Sequence, residues 1–245
     1  MKTFAILVLF STIGAAADAA GHWEGKIQIQ GRELGMIVDL ARNPQGAWIG
    51  SMSVLGSSAA DVPLEELIIR SSAVKFGAYL PDYASFEGNL SEDLNSLSGT
   101  ASNALGGVPF ELGRKGAASV KVAPPNSALS KDFEGVWEGA IATEGKSLRV
   151  RLKLSPGPDG RATALLTSLD QGNHEIPVTT VIIEGKGLQV EARAVSGVYR
   201  GMLGERGEIT GEWSQGATPL PLTFKHVALP GGRDSVRVSN TDPPL

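Results

Sequence analysis

From Leu148 to Leu154 apolar and basic side chains take turns, with Leu148, Val150, Leu152 and Leu154 separated by Arg149, Arg151 and Lys153. A period of two predicts a strand with one dry face and one wet face. Leu34, Met36, Val38 and Leu40 repeat the pattern earlier in the chain. In the later half, further runs of strand character cover 161–168, 178–183, 188–195, 198–203, 208–213 and 220–226, each bounded by Gly, Pro, Asp or Asn. With an opening segment at 137–142 they make about eight short strands. No window of helical length carries an apolar stripe at the 3.6-residue period of a helix.

The pattern occurs twice. Gly135-Val136-Trp137-Glu138-Gly139 repeats Gly21-His22-Trp23-Glu24-Gly25 at an offset of 114 positions, and the match continues through Pro158-Asp159-Gly160 with Pro44-Gln45-Gly46. It then slips by a residue or two, pairing Phe86-Glu87-Gly88 with Tyr199-Arg200-Gly201 and Leu97-Ser98-Gly99 with Ile209-Thr210-Gly211. Slips of that size belong in turns. The chain therefore divides into a first module over 21–115 and a second over 135–227, each long enough to bury a core of its own. Short loops between successive strands imply an antiparallel meander, which hides its edges by closing on itself. The predicted fold is all-β: two tandem small antiparallel up-and-down β-barrels of about eight short strands each. A curled sheet or small sandwich competes with it, since periodicity does not separate them. A linker with Pro124-Pro125 occupies 116–134, and a loose tail occupies 228–245.

The glycines, 31 of 245 residues, read as turn residues in this setting. Lys2, an apolar run over 4–13 and Ala15-Ala16-Ala17-Asp18-Ala19-Ala20 spell a signal peptide at 1–19, with cleavage near Ala17 or Ala19. Neither it nor any later segment is long and apolar enough for a transmembrane anchor. With no cysteine there is no acylation site and no disulfide framework, so the expected location is periplasmic or secreted. A net charge of −4 argues against nucleic acid as a partner. The first module holds 7 basic and 11 acidic residues and the second holds 10 of each, so an anionic ligand would favour the second.

Short motifs that resemble catalytic ones lack their context. Ser72-Ala73-Val74-Lys75 spells S-x-x-K inside strand-like sequence, where an acyl enzyme needs the start of a helix. Gly145-Lys146-Ser147 resembles the end of a phosphate-binding loop, but the required earlier glycine is Ala140 and the setting is a hairpin. No G-x-S-x-G occurs. His22, His174 and His226 are scattered, with none at a metal-ligand spacing to another His, Asp or Glu on its strand face. No catalytic residues, metal or cofactor are expected, and the reading leans away from an enzyme.

Alternating strand directions bring the loops after strands one, three, five and seven to one end of a barrel. In the second module those loops are polar, and Asp170, Gln171, Trp213 and Gln215 are the candidate edge of a binding mouth for a small molecule or for another envelope or secreted protein. The plainer alternative is that the Asp and Gln side chains satisfy turn amides while Trp213 packs in the core. The first module has Ala101 where the second has Trp213, and looks stripped by comparison.

Gly21-His22-Trp23 and Gly135-Val136-Trp137 resemble the calycin G-x-W pattern of lipocalins and avidins, a family that places this tryptophan across the closed end of the barrel. The layout from Gly135-Val136-Trp137-Glu138-Gly139 through Leu169-Asp170-Gln171-Gly172, Ile209-Thr210-Gly211-Glu212-Trp213 and Leu220-Pro221-Leu222 is similar to the β-rich noncatalytic accessory domain ahead of secreted bacterial serine hydrolases of α/β-hydrolase or β-lactamase type. That resemblance implies an exported β-module and carries over no catalytic residue. Three functions follow as expectations: a binding or accessory module, the noncatalytic region of a hydrolase whose catalytic domain is separate, or a structural envelope protein.

Overall fold

The computed structural model describes residues 18–29, 31–143 and 145–227. The predicted leader, apart from Asp18 and Ala19, and the tail at 228–245 lie outside the described residues. The first sheet is built from β1 (Gly21–Ile29), β2 (Arg32–Arg42), β3 (Trp48–Val54), β4 (Val62–Pro63), β5 (Glu65–Arg70), β6 (Ala73–Tyr79), β7 (Tyr83–Leu90), β8 (Ser96–Asn103) and β9 (Gly106–Gly116). The second is built from β10 (Gly135–Thr143), β11 (Lys146–Pro156), β12 (Ala162–Ser168), β13 (His174–Pro177), β14 (Thr180–Glu184), β15 (Gly187–Ala192), β16 (Gly197–Leu203), β17 (Glu208–Ser214) and β18 (Leu220–Val227).

Each sheet has the same strand order. In the first it runs β4-β3-β2-β1-β9-β8-β7-β6-β5, so the first strand of the meander pairs with the last, Ile27 lying opposite Phe110. The second repeats this with β10 against β18. Both units are antiparallel β-barrels, and the seam in each falls inside what would be the fourth strand. β4 pairs with β3 and β5 with β6, with only Leu64 between them. Nine strands per sheet, rather than about eight, result from that break. Pro63 ends β4 and Pro177 ends β13, each at the edge of its sheet and each lacking the N–H that a further ladder bond from that residue would need. Two local expectations need correction in the second barrel. The segment His174–Pro177 is a strand that the sequence did not announce, and the run to Val195 stops at Ala192, where Arg193–Val195 form one 3₁₀ turn closed by Ser196 at φ 49°.

Alternation places the cores as expected. Met36, Val38 and Leu40 of β2, and Val150, Leu152 and Leu154 of β11, are all buried, while Arg149, Arg151 and Lys153 are exposed. At one place in each wall glycine faces glycine across strands: Gly88 opposite Gly99 and Gly201 opposite Gly211. A Cβ on Gly99 would overlap the carbonyl oxygen of Glu87, and one on Gly211 that of Arg200. Only a residue without a side chain allows that approach.

A tryptophan begins each barrel, and each is sealed in the same way. Trp23 is fully buried and its indole N–H donates to the Ala19 carbonyl at 3.1 Å. Trp137 donates to the Phe133 carbonyl at 2.8 Å. Ala19 and Phe133, 114 positions apart like the tryptophans, are themselves buried. Arg114 lies over the Trp23 ring at 4.4 Å and donates to the carbonyls of Ala20 and Asp18.

The described residues divide into two compact units, one running to Pro125 and including Glu191–Gly197, the other comprising Asn126–Val190 and continuing from Val198. Hydrogen bonds between backbone and side chain anchor the connecting stretch within each: the Ser119 N–H donates to the Asp39 carboxylate in the first, and the Asn126 side-chain amide donates to the Ala162 carbonyl in the second. Among the described residues no helix is long and apolar enough to cross a membrane.

Candidate functional site

Of the four candidate residues of the second barrel, Asp170 and Gln171 lie on the turn after β12 and Gln215 on the turn after β17, at the end that topology assigns them, while Trp213 is inside β17 one residue before its end. Asp170 accepts from the Arg149 backbone N–H at 2.8 Å and from its guanidinium at 2.6 and 2.9 Å. The hydrogen bonds from Arg149 hold the Asp170 carboxyl below the usual carboxylate range. Gln171 accepts from the buried Ser168 hydroxyl at 2.8 Å. Trp213 is 5% exposed, and its N–H reaches the side-chain oxygen of Gln215 at 3.3 Å. The structure thus brings Trp213 and Gln215 together and gives Asp170 and Gln171 partners of their own. No hydrogen bond joins the two pairs among the described residues.

An open recess of about 360 Å³ lies in the first barrel instead. It sits at the end of the barrel where β1, β6 and β8 finish and β7 and β9 begin, opposite the Trp23 end. Its walls are apolar: Ile27, Leu80, Ala84, Phe86, Ala101 and Val108. Asp82, Ser102, Asn103 and Leu105 stand at its rim. Asn103 accepts the Leu105 N–H at 2.9 Å, which shapes the turn between β8 and β9 and leaves Leu105 84% exposed at the tip.

Register explains why this recess exists. Ala101 lies opposite Phe86 on one side and Val108 on the other. The matching positions in the second barrel are Trp213, opposite Tyr199 and Leu220. Both Ala101 and Trp213 come two residues after the glycine at which their strand approaches its neighbour closely. An indole therefore fills in the second barrel the volume that a methyl group leaves open in the first. The signal was present in the aligned halves as Ala101 against Trp213. Read for polar groups it looks like a stripped rim; read for volume it marks a vacancy.

One histidine requires a correction. His22 shares a strand face with Glu24 and lies opposite Asp39 on β2, with Nδ1 2.9 Å from Asp39 and Nε2 3.0 Å from Glu24. The hydrogen bond to Asp39, then that to Glu24, raises the His22 pKa above its ordinary value, because only the protonated ring donates from both nitrogens. The carboxylates lie on opposite sides of the ring and do not converge on a common point. Among the described residues no group of three His, Cys, Asp or Glu could hold a metal ion. Tyr199, by contrast, is buried among apolar side chains, which pushes its phenol up, and its hydroxyl donates to the Ile209 carbonyl at 2.9 Å.

No family model matches this chain, and no curated protein matches it. Among solved structures it is similar to a candidate outer membrane protein from Bacteroides fragilis at 12% identity, covering 84% of this chain and 96% of that one with a TM-score of 0.26. A protein of unknown function in the DUF3598 family, from Nostoc punctiforme, shares 12% identity over 85% of this chain and 96% of its own, with a TM-score of 0.27. Superpositions that loose transfer neither fold nor function.

Proposed function

We propose that the protein is an exported, noncatalytic binding module whose ligand site is the mouth of the first barrel. The observation that carries this reading is the substitution of Ala101 for the plug that Trp213 forms at the matching place. A recess of about 360 Å³ is at the small end of the range for ligand pockets, and apolar walls with a few polar groups at the rim are the usual composition of such a pocket. It has room for a compact hydrophobe and none for a helix. N-phenyl-1-naphthylamine, a neutral dye that brightens in apolar surroundings, should bind the purified protein. Ala101→Trp should reduce that binding by at least about tenfold while the circular dichroism spectrum stays unchanged. Ala101→Leu, a gentler filling, should give an intermediate loss. Equal dye binding by all three proteins would place the site elsewhere.

Export rests on the leader sequence, and the first barrel supports one of its two cleavage positions. A cut after Ala19 would remove the carbonyl that accepts the Trp23 N–H and the Asp18 carbonyl that accepts from Arg114. A cut after Ala17 leaves both in place. Phe133 plays the same part for Trp137 well inside the chain, which marks the contact as a structural element of the barrel and not an accident of the terminus. N-terminal sequencing of protein from an exporting host should begin at Asp18; a start at Ala20 would overturn the assignment.

A further inference from the structure

We infer that the first-barrel mouth takes a flat aromatic heterocycle of about indole size, with its ring N–H received by the side chain of Asn103. The inference rests on the reading of that recess as a ligand site and adds the chemical class of its occupant. The second barrel supplies the template, because there the chain fills the corresponding place with a ring of its own.

The match holds position by position. Val108 follows Ala101 at the same spacing at which Leu220 follows Trp213, so the two hairpins are of equal length and Asn103 stands where Gln215 does. In the second barrel the Trp213 indole lies opposite Tyr199, is 5% exposed, and donates its N–H to the Gln215 side-chain oxygen at 3.3 Å. In the first barrel the indole is missing but its surroundings remain. Phe86 takes the place of Tyr199, and its ring stacks on Phe76 at 4.8 Å and meets Phe110 edge-on at 5.8 Å. A flat ring entering beside Phe86 would extend that aromatic group, where offset and edge-on contacts add to the burial of area. Gly106 and Gly107 at the rim replace Thr218 and Pro219, so neither position narrows the entrance with a side chain.

A polar group completes the likeness. Asn103 lines the recess, and its Oδ1 accepts the Leu105 N–H at 2.9 Å. A carboxamide oxygen has two lone pairs, so the turn leaves one for a ligand. Ile27, Leu80, Ala84 and Val108 offer a ring N–H no acceptor, and burying a donor unpaired is costly. Asn103 removes that cost for a heterocycle whose N–H points to the rim, as Gln215 does for Trp213.

Indole, 1-methylindole and octanol separate the parts of the inference when each displaces N-phenyl-1-naphthylamine from the full protein, with displacement corrected for the affinity of the dye itself. Indole should displace at concentrations about threefold to tenfold below 1-methylindole, although the added methyl group makes the latter more hydrophobic. It should displace at concentrations at least about fivefold below octanol, whose apolar surface sits on a flexible chain that must be ordered. Asn103→Ala should bring indole and 1-methylindole to within about twofold of each other, and Asn103→Asp, which keeps an acceptor for both the ligand and Leu105, should retain the preference. Octanol displacing as well as indole from the native protein would overturn the aromatic class while leaving the site intact. An indole preference that Asn103→Ala leaves unchanged, or no preference over 1-methylindole in the native protein, would overturn the role of Asn103. Dye that never binds, or binds Ala101→Trp as well as the native chain, would overturn the site itself.

Discussion

Replacing Trp23 with alanine should destabilise the first unit by about 3–5 kcal/mol, the range for deleting a fully buried tryptophan. The whole stability of a domain is about 5–15 kcal/mol, so the first unit would lose a large share of its margin. The expected size follows from three contacts that disappear together. The indole is fully buried at the end of the barrel opposite the recess, its N–H satisfies the buried Ala19 carbonyl, and its ring supports the Arg114 guanidinium at 4.4 Å. Without the ring, Arg114 has less reason to hold the carbonyls of Asp18 and Ala20, and the chain before β1 should loosen. Trp23→Phe separates the parts: it keeps most of the packing, orphans one carbonyl, and should cost about 1–3 kcal/mol. Urea unfolding followed by circular dichroism, with hydrogen exchange reporting which strands lose protection, measures both. A Trp23→Ala protein within about 1 kcal/mol of the native one would show that the tryptophan does not seal the barrel. Trp137→Ala is the matching change in the second unit.

Trp213→Ala should give the second barrel the recess that the first already has. Trp213 is 5% exposed and lies opposite Tyr199 and Leu220, so its removal should cost about 3 kcal/mol, the low end for a buried aromatic because the vacancy opens to water at one side. The functional consequence is a gain. Native protein should bind one N-phenyl-1-naphthylamine per chain and the variant two, with the second site lost again in Trp213→Phe. Gln215 would lose the donor it accepts from, but being exposed it can turn to solvent. A stoichiometry that stays at one, in a variant that remains folded, would mean that a vacancy at this position is not sufficient for binding. The dye recess of the first barrel would then owe its existence to something beyond Ala101.

How much of this was legible in advance depends on how local the cause is. Val150, Leu152 and Leu154 announce an inward face because a strand turns each side chain by half a revolution, and the structure buries all three. Gly99 and Gly211, read from the sequence as turn residues, lie instead in mid-strand, because a Cβ at either would meet the backbone of the neighbouring strand. The broken fourth strand was half visible: Val62-Pro63 and Ile176-Pro177 stand 114 positions apart like the opening tryptophans, but their effect on strand count depends on which neighbours the two pieces find. The partners of His22 were half legible, because Glu24 follows two positions on along the same strand while Asp39 is on another strand, and cross-strand register is not written in spacing along one segment. The recess of the first barrel went unseen for a related reason. Polar groups drew the reading to Asp170, Gln171, Trp213 and Gln215, whereas an open recess is a property of six side chains from β1, β7, β8, β9 and the turn after β6 acting together.

By itself, then, the amino-acid sequence determined that this protein is all-β, that it is built in two like halves, and which side of most strands faces inward. Those are consequences of backbone geometry and of the hydrophobic effect acting residue by residue. Tertiary structure alone decided that each meander closes first strand to last, that the Ala19 and Phe133 carbonyls cap the opening tryptophans, and that one barrel is plugged while the other stands open. Closure and cavity are sums over distant parts of the chain, so a single exchange of alanine for tryptophan acquires its meaning only when the strands around it are in register.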